Sequence, residues 1–205
     1  FHKSIGGYHG AKLKRYQELI EKHISNGNPA VINMLNTKYV INRQGQVQQN
    51  PSALGNAWFV NSVNIVNNAD EEIIALNDFD PKNTAIIDKR YSKQILDIVE
   101  NKDSDINLLE YKPNYLKYNS TSSKAGIAIF SEIYYNKGWN AYVNGILTPH
   151  FRANYVLRGM QIPAGNHIIE FKFEPLSYSI GEIVSLISSL ILLFLTLFIL
   201  YKEIK

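Results

Sequence analysis

The sequence contains no cysteine. This absence excludes disulfide bonds, cysteine-ligated zinc and thiol catalysis, and it suits either a reducing compartment or a bacterial exterior without bridges. The chain also lacks the Gly-x-Ser-x-Gly, His-Glu-x-x-His, Walker and Gly-x-Gly-x-x-Gly motifs of common enzyme classes. No basic run is long enough to follow a nucleic-acid backbone, and the net charge is only +3. Composition therefore indicates neither a recognisable catalytic centre nor a nucleic-acid partner.

Metal and acid–base sites are equally weakly indicated. The five histidines are scattered, and none is paired with a carboxylate at a spacing that suits a metal ligand set. The acidic residues at 70–72 stand at a helix start, where capping and the helix dipole favour them. We therefore expect no metal site and no cofactor, and the sequence identifies no catalytic residue.

One long hydrophobic run dominates what is present. Residues 183–201 carry no charge, proline or glycine, and about 20 apolar residues cross the hydrocarbon core of a bilayer. A soluble core helix is rarely this apolar on every face. The sequence therefore predicts a transmembrane helix within 180–205, with Tyr178 and Tyr201 near the two membrane interfaces.

The sequence begins at Phe1, and its first residues do not show the pattern of a signal peptide. We expect it to be the C-terminal piece of a longer membrane protein, with upstream transmembrane helices as partners. Lys202 and Lys205 follow the hydrophobic run, so the positive-inside rule predicts a cytoplasmic C-terminus. We therefore expect the protein to lie in the cytoplasmic (inner) membrane of a bacterium, with membrane lipid as a partner and with residues 1–179 on the extracytoplasmic side.

The first hundred residues mix helix and strand patterns. An apolar stripe of Leu13, Tyr16, Ile20 and Ile24 predicts a helix over about 10–24, and Pro29 opens a second to residue 35. Strands are predicted at 38–41, 58–66 and 84–87, with a Gln/Asn-rich loop at 42–55. A capping box at 68–71 predicts a helix to 76, and a short helix is predicted at 90–99.

From residue 106 the hydrophobic period changes to two. The predicted strands are 106–111, 115–119, 125–135, 139–143, 146–151, 155–162 and 167–174. Asn144-Gly145 is a strong hairpin signal because both residues tolerate a positive φ. This spacing predicts a jelly-roll-like β-sandwich. The predicted fold class is α+β, with an α/β segment at 1–104, a β-sandwich at 105–179 and the transmembrane helix at 180–205.

Aromatic and polar residues near the sandwich turns form the first candidate site. Sugars bind aromatic faces flanked by hydrogen-bonding groups, so this set could bind a saccharide. Alternatively, the rings fill the core, as expected most for Trp139, or contact the upstream membrane part. The candidate substrate-binding residues of this set are Trp139, Tyr142, Asn144, Arg152, Tyr155 and Arg158.

A second candidate site lies near the N-terminus. Gly6-Gly7 precedes His9, Lys12 and Arg15 at a helix start, where unpaired backbone N–H groups favour an anion. His9 and Lys12 could therefore face a lipid-linked phosphate. The alternative is a Gly-Gly turn before an ordinary amphipathic helix.

Several motifs together resemble one family. The stretches 6–17 (GGYHGAKLKRYQ), 33–41 (NMLNTKYVI) and 138–145 (GWNAYVNG) are similar to the C-terminal extracytoplasmic region of the YfhO family of bacterial membrane proteins. The resemblance continues through Asn154-Tyr155, Arg158-Gly159, the turn 163–167, Phe171 and Pro175. It covers nearly the whole chain.

The resemblance implies a polytopic protein similar to C-type glycosyltransferases. Such proteins transfer sugar from a polyprenyl-phosphate donor onto cell-envelope glycans, and their catalytic carboxylate lies in an early outer loop. The implied role of this chain is to bind substrate or to brace the membrane core. The rivals are a non-catalytic, membrane-anchored carbohydrate-binding module and a structural or assembly module.

Overall fold

The computed structural model describes residues 4–6, 10–42, 44–95 and 103–204. Short helices come first, two β-sheets follow, and a long apolar helix ends the chain. The α+β class, with a sandwich-like β part and a C-terminal apolar helix, confirms the sequence-based prediction.

The N-terminal helix changes its winding half-way. Helix α1 (Lys14–Leu19) continues as a π-helical turn (Ile20–Ile24), and α2 (Pro29–Met34) follows. Because a π-helical turn holds more residues than an α-helical turn, the buried face does not follow a regular period. Leu19 and His23 are buried, whereas Leu13, which the apolar stripe included, is 41% exposed. The Asn28 side chain accepts hydrogen bonds from the backbone of Ala30 and Val31 and so caps α2.

The middle of the chain contains a hairpin and a β-α-β unit. Its elements are β1 (Tyr39–Ile41), β2 (Val47–Gln49), β3 (Ala57–Val60), β4 (Ser62–Val66), α3 (Ala69–Ala75), β5 (Thr84–Asp88) and a 3-10 helix (Lys89–Gln94). Asn68 caps α3, as its capping box predicts, although Glu71 reaches back to the backbone of Asn67 rather than of Asn68.

Eight strands and the long helix complete the chain. They are β6 (Asp105–Lys112), β7 (Tyr115–Ser122), β8 (Gly126–Ile133), β9 (Trp139–Val143), β10 (Ile146–Thr148), β11 (Phe151–Ala153), β12 (Leu157–Ile162), β13 (Gly165–Phe173) and α4 (Leu176–Ile204).

Two sheets form the body. The five-stranded sheet has the order β10-β9-β13-β7-β6 and is antiparallel throughout. The six-stranded sheet has the order β3-β8-β12-β11-β5-β4, and only β4 and β5 are parallel. Strands from both sides of residue 104 share this second sheet.

The six-stranded sheet is the central layer. Ala128, Phe130 and Met160 face the five-stranded sheet and pack with Tyr118 and Phe171 from it. On the opposite face, Ile127 and Ile129 belong to a second core that includes Leu19, Val31, Ile73 and Leu76 from the helical part. Burial on both faces explains why the first five residues of β8, 126–130, form an unbroken apolar run rather than an alternating pattern.

Four predicted elements differ from the structure. The predicted loop 42–55 contains β2, which pairs with β1. The predicted strand 58–66 is two strands, because the chain bends at Asn61, and β3 and β4 lie at opposite edges of one sheet. The predicted strand 146–151 is also divided, between β10 in one sheet and β11 in the other. In place of the helix at 90–99 there is the short 3-10 helix, and residues 96–99 lie outside the described part.

Helix α4 begins directly below the sandwich. It is long and apolar enough to cross a membrane, and none of its residues is buried against the rest of the described chain. Only Glu174 and Pro175 separate it from β13. The five-stranded sheet therefore continues almost immediately into the candidate membrane span.

Candidate functional site

The structure distributes the predicted site residues over three places. Arg15, Arg152 and Tyr155 meet around one buried carboxylate. Trp139 and Arg158 stack on each other inside the sandwich. Tyr142 lies on the outer face of the five-stranded sheet, and Asn144 forms the turn beside it.

Glu72 is the centre of the first place, the ion cluster. Its carboxylate is fully buried and accepts hydrogen bonds from Arg15 Nη1 at 2.7 Å and from the backbone N–H of Tyr155 at 3.0 Å. Arg152 Nη2 lies 3.7 Å from the same carboxylate. Helix α3 supplies Glu72, α1 supplies Arg15, and the β11–β12 turn supplies Tyr155. The ion cluster therefore joins both helices to the sheet.

The turn in the ion cluster is strained. Asn154 and Tyr155 both have positive φ, of 48° and 71°, and a bulky side chain rarely adopts this conformation. The Arg15 guanidinium lies 4.5 Å from the centre of the Tyr155 ring, and the Tyr155 hydroxyl donates to Glu18. Burial and this hydrogen bond raise the pKa of Tyr155. The contacts from α1 and α3 thus hold the turn in place.

Asp88 forms the far side of the ion cluster. It is buried at the end of β5, 2.9 Å from Arg90 Nη2 and 4.0 Å from Arg152 Nη2. Burial alone would raise its pKa, but the hydrogen bonds and charge of Arg90, together with Arg152, lower the pKa below its usual value. Since the carboxylates and guanidiniums neutralise one another, the arrangement suits a clamp between elements.

Arg158 and Trp139 lie inside the sandwich. Arg158 is 2% exposed, its Nε donates to the carbonyl of Ile133 at 3.1 Å, and its guanidinium lies 4.1 Å from the centre of the Trp139 ring. The same guanidinium lies 5.1 Å from the centre of the Phe171 ring. Burial lowers the pKa of Arg158. Arg158 therefore lies in the core, and the partly buried Trp139 packs against that core.

Asn144 and Gly145 form the predicted hairpin turn between β9 and β10. Both have positive φ, as a tight hairpin requires. The Asn144 side chain accepts from the backbone of Ile168 at 2.9 Å and bonds His167 Nδ1 at 2.9 Å. These contacts tie the hairpin to β13.

The described residues include only part of the predicted N-terminal anion site. His9 lies outside the described residues, and Lys12 lies just before α1. Arg15, the third cation of that stretch, points into the ion cluster.

The outer face of the five-stranded sheet carries the third place, the tyrosine face, around Tyr142. Tyr142 Oη donates to Glu174 at 2.7 Å, Asn140 donates to the same oxygen at 2.9 Å, and Tyr115 Oη donates to Glu170. Lys172 lies between the two rings, with Nζ 4.9 Å from the centre of Tyr142 and 6.0 Å from that of Tyr115. Two aromatic rings are thus held in place next to carboxylate and amide groups.

Hydrogen bonding sets the electrostatics of the tyrosine face. The bond to Glu170 is the main reason that the pKa of Tyr115 rises to about 12. Asn140 and Tyr142 lower the pKa of Glu174 by donating to its charged form. Glu174 therefore stays ionised and the two tyrosine hydroxyls stay protonated at neutral pH.

A cavity of about 300 Å³ adjoins the tyrosine face at the β9–β10 edge. Its lining includes Asn140, Leu147, Thr148 and His150. Burial, with a smaller contribution from Arg158, lowers the pKa of His150 to about 4. The cavity extends the accessible polar surface beside Tyr142 around the sheet edge.

A family comparison identifies the chain's relatives. The model described as "Bacterial membrane protein YfhO" matches residues 23–185. The chain belongs to the YfhO family. An "Uncharacterized protein YfhO" of Bacillus subtilis (strain 168) is 28% identical over 116 residues, which are 57% of this chain and 13% of that protein. The chain therefore spans only a small part of this relative. No solved structure matches the chain.

Sequence reasoning missed most of the tyrosine face of this YfhO-family chain. Tyr115, Asn140, Glu170, Lys172 and Glu174 were not candidate residues. The sequence did contain a signal for this outer face, because Glu170 and Lys172 alternate with the buried Ile169 and Phe171. Which strands lie beside β13 could not be read from the sequence. Among the described residues, no group of His, Asp and Glu is arranged to hold a metal ion.

Proposed function

We propose that this chain is the outer domain of a glycosyltransferase-like membrane protein and that its tyrosine face binds the glycan that receives the sugar. The observation that carries the proposal is the pair of tyrosine rings, Tyr115 and Tyr142, on one open sheet face. Sugar rings place apolar C–H groups on aromatic faces and direct hydroxyls to nearby polar groups.

The tyrosine face is organised before any ligand arrives. Each tyrosine hydroxyl is bonded to a carboxylate, and Glu174 also accepts from Asn140. Fixed rings lose little conformational freedom on binding, which favours affinity. The remaining lone pairs of Glu170 and Glu174 and the ammonium of Lys172 can accept from and donate to sugar hydroxyls.

The charge balance of the sheet face favours a neutral glycan. Lys172 lies 3.6 Å from Glu170, and Lys112 at the edge strand is paired with Glu110. A polyanion needs an excess of positive charge on the surface that receives it, and here lysines and glutamates alternate. The proposed ligand is therefore a hydroxyl-rich, uncharged segment of an envelope glycan.

In this proposal, other parts of the full-length protein carry out the sugar transfer. The matched segment is 13% of the Bacillus relative, which leaves ample chain for the membrane core and the catalytic outer loop that the family resemblance implies. A polyprenyl-phosphate sugar would be the donor. The chain described here would position the acceptor.

Glycan binding to the purified chain in detergent tests the proposal. The probes are neutral and anionic envelope oligosaccharides, measured by titration calorimetry. We expect Tyr142→Ala and Tyr115→Ala each to weaken binding of a neutral glycan roughly fivefold, since a ring contact contributes about 1 kcal/mol. The matched control is Tyr39→Ala, which removes a 59% exposed tyrosine from the distant β1–β2 hairpin.

Equal losses in all three variants, or no binding by any probe to folded protein, would contradict glycan recognition. The second candidate function would then gain support. The ion cluster joins α1 to the sheet through Arg15, Glu72 and Tyr155, and this favours a bracing role between the upstream chain and the sandwich. In that case, changes at the tyrosine face would alter stability without altering any affinity.

A further inference from the structure

The junction between the sandwich and α4 is tightly packed. The backbone N–H of Phe173 donates to the carbonyl of Asn114 at 3.0 Å, and that of Glu174 donates to the carbonyl of Gly138 at 2.6 Å. The β6–β7 turn and the β8–β9 loop are thus bonded to the last residues before the helix. Both loops lie at the end of the sandwich from which α4 leaves.

Gly138 makes this junction possible. Its φ is +118°, a conformation that favours glycine, and a Cβ there would lie 2.8 Å from Phe173 Cε2 and 3.0 Å from Pro175 Cβ. Trp139 packs beside it, with its ring centre 5.4 Å from that of Phe173. The loop is therefore fixed against the start of the helix.

The two ends of the sandwich expose different residues. Near the junction, Tyr111 is 44% and Tyr135 38% exposed, and Lys112 and Lys137 are exposed beside them. The far end, formed by the β7–β8 and β12–β13 turns, exposes small and polar residues at 123–124 and 164–166. Tyrosine is enriched where membrane meets water, and lysine extends its charge to that level.

The helix geometry brings the junction end to the lipid headgroups. The uncharged run begins at Ile183, and Leu176 starts the helix, so the rise between them is about 10 Å at 1.5 Å per residue. The headgroup layer extends about 5–8 Å beyond the hydrocarbon core. The start of α4 therefore lies about 2–5 Å beyond the outer edge of that layer, a gap that the long tyrosine and lysine side chains of the loops beside the junction can bridge.

We propose that the β8–β9 loop, through Tyr135 and Lys137, and the neighbouring β6–β7 turn bind the headgroup layer of the bilayer that α4 enters. The sandwich then rests on the membrane by a contact of its own, in addition to its covalent tether. This contact does not depend on glycan binding.

Lipid quenching of a single fluorophore tests the contact. Because the chain has no cysteine, Asn136→Cys and Ser123→Cys each provide one labelling position, at the junction end and the far end. The labelled chain is reconstituted in vesicles of phosphatidylethanolamine and phosphatidylglycerol with a headgroup spin-labelled lipid. Strong quenching at 136 with little at 123 is expected, and equal weak quenching at both positions overturns the proposal.

A second variant separates binding from mere tethering. A flexible Gly/Ser insert of about 20 residues after Pro175 spans roughly 25 Å and releases the sandwich from the helix. Quenching at 136 should persist in this variant, because the loop binds by itself. A fall to the value at position 123 overturns the proposal.

The side chains are tested in the insert background. Tyr135→Ser with Lys137→Ser should lower the ratio of bound to free sandwich roughly tenfold, because binding strength follows buried apolar area and charge. The matched control is Lys124→Ser at the far end, which should leave the ratio unchanged. Unchanged quenching in the double variant, with native tryptophan emission, overturns the proposal.

Discussion

His150 is a partly buried titratable side chain that packs between the two sheets. Its ring lies 5.4 Å from Tyr134 and 5.6 Å from Phe171, and Nε2 has no hydrogen-bond partner. Burial lowers its pKa to about 4 from an ordinary 6.5. The imidazole is therefore neutral in the folded protein across the range in which the unfolded chain takes up a proton.

This difference makes stability depend on pH. Because the unfolded chain binds more protons between pH 6.5 and 4, the free energy of unfolding should fall as the pH drops through that range, by up to about 3 kcal/mol. Urea unfolding in detergent, followed by tryptophan fluorescence at several pH values, measures this change in the free energy of unfolding. His150→Gln should remove its share of this fall, and the control His167→Gln, at a partly buried position after the β12–β13 turn, should keep it. An unchanged pH profile in His150→Gln would refute the assignment.

The candidate residues show what the sequence can and cannot indicate at this scale. Arg15, Arg152 and Tyr155 were singled out for their chemistry, and the structure does bring them together. Their common partner, Glu72, was interpreted only as a favourable charge at a helix start. Its burial depends on how α3 packs against α1 and the β11–β12 turn, and a local pattern carries no information on that packing.

Strand β12 depends on one glycine for its place next to β11. Gly159 is paired with Phe151, and a Cβ on Gly159 would lie 2.4 Å from Phe151 Cε2. The phenyl ring occupies the space that a side chain would need, and it is itself 1% exposed. The pair therefore fixes the register in the middle of the six-stranded sheet.

Gly159→Ala should destabilise the protein by about 1–3 kcal/mol, since Phe151 has to leave its packed position. The measurement is the urea concentration at the midpoint of unfolding, compared between variants whose m-values are equal. Gly126→Ala is the matched control in the same sheet, where the nearest atom lies 3.2 Å away on Phe59, and it should cost less. Adding Phe151→Leu to Gly159→Ala should recover part of the loss. Equal effects at both glycines would contradict the steric explanation.

Elements were predictable where the signal is local. The β9 bounds, the Asn144-Gly145 turn, the Asn68 cap and the start of α2 at Pro29 follow from side-chain geometry within a few residues. The division of 146–151 had a local signal in Pro149, which cannot donate to a strand ladder, whereas no proline or glycine separates the two halves of 58–66. What separates those two halves is the edge of the sheet at which each finds its partner.

At the scale of the molecule, the sequence predicted the α+β class and the final apolar helix, whose composition alone is decisive. The central position of the six-stranded sheet could not be predicted from the sequence, because β3 to β5 and β8 are distant in sequence. The predicted division at residue 104 and the predicted orientation across the membrane stay predictions.

Orientation can be measured with the same cysteine-free background. Lys202 and Lys205 predict a cytoplasmic end. A membrane-impermeant maleimide should therefore label Ser123→Cys in intact cells and label Glu203→Cys only after permeabilisation. Ala53→Cys, in the β2–β3 loop, is the matched control for the sandwich side. The reverse labelling pattern would show that the sandwich is inside.

The short connection between β13 and α4 also makes the chain a lever. Strand β13 has 9 residues, so it extends about 30 Å above the helix at about 3.3 Å per residue. Transmembrane helices tilt by about 20° on average, and with a rigid joint such a tilt carries the far end of the strand sideways by about 10 Å. A change in helix tilt within the bilayer therefore moves the distal turns of the sandwich sideways by about the spacing of two strands.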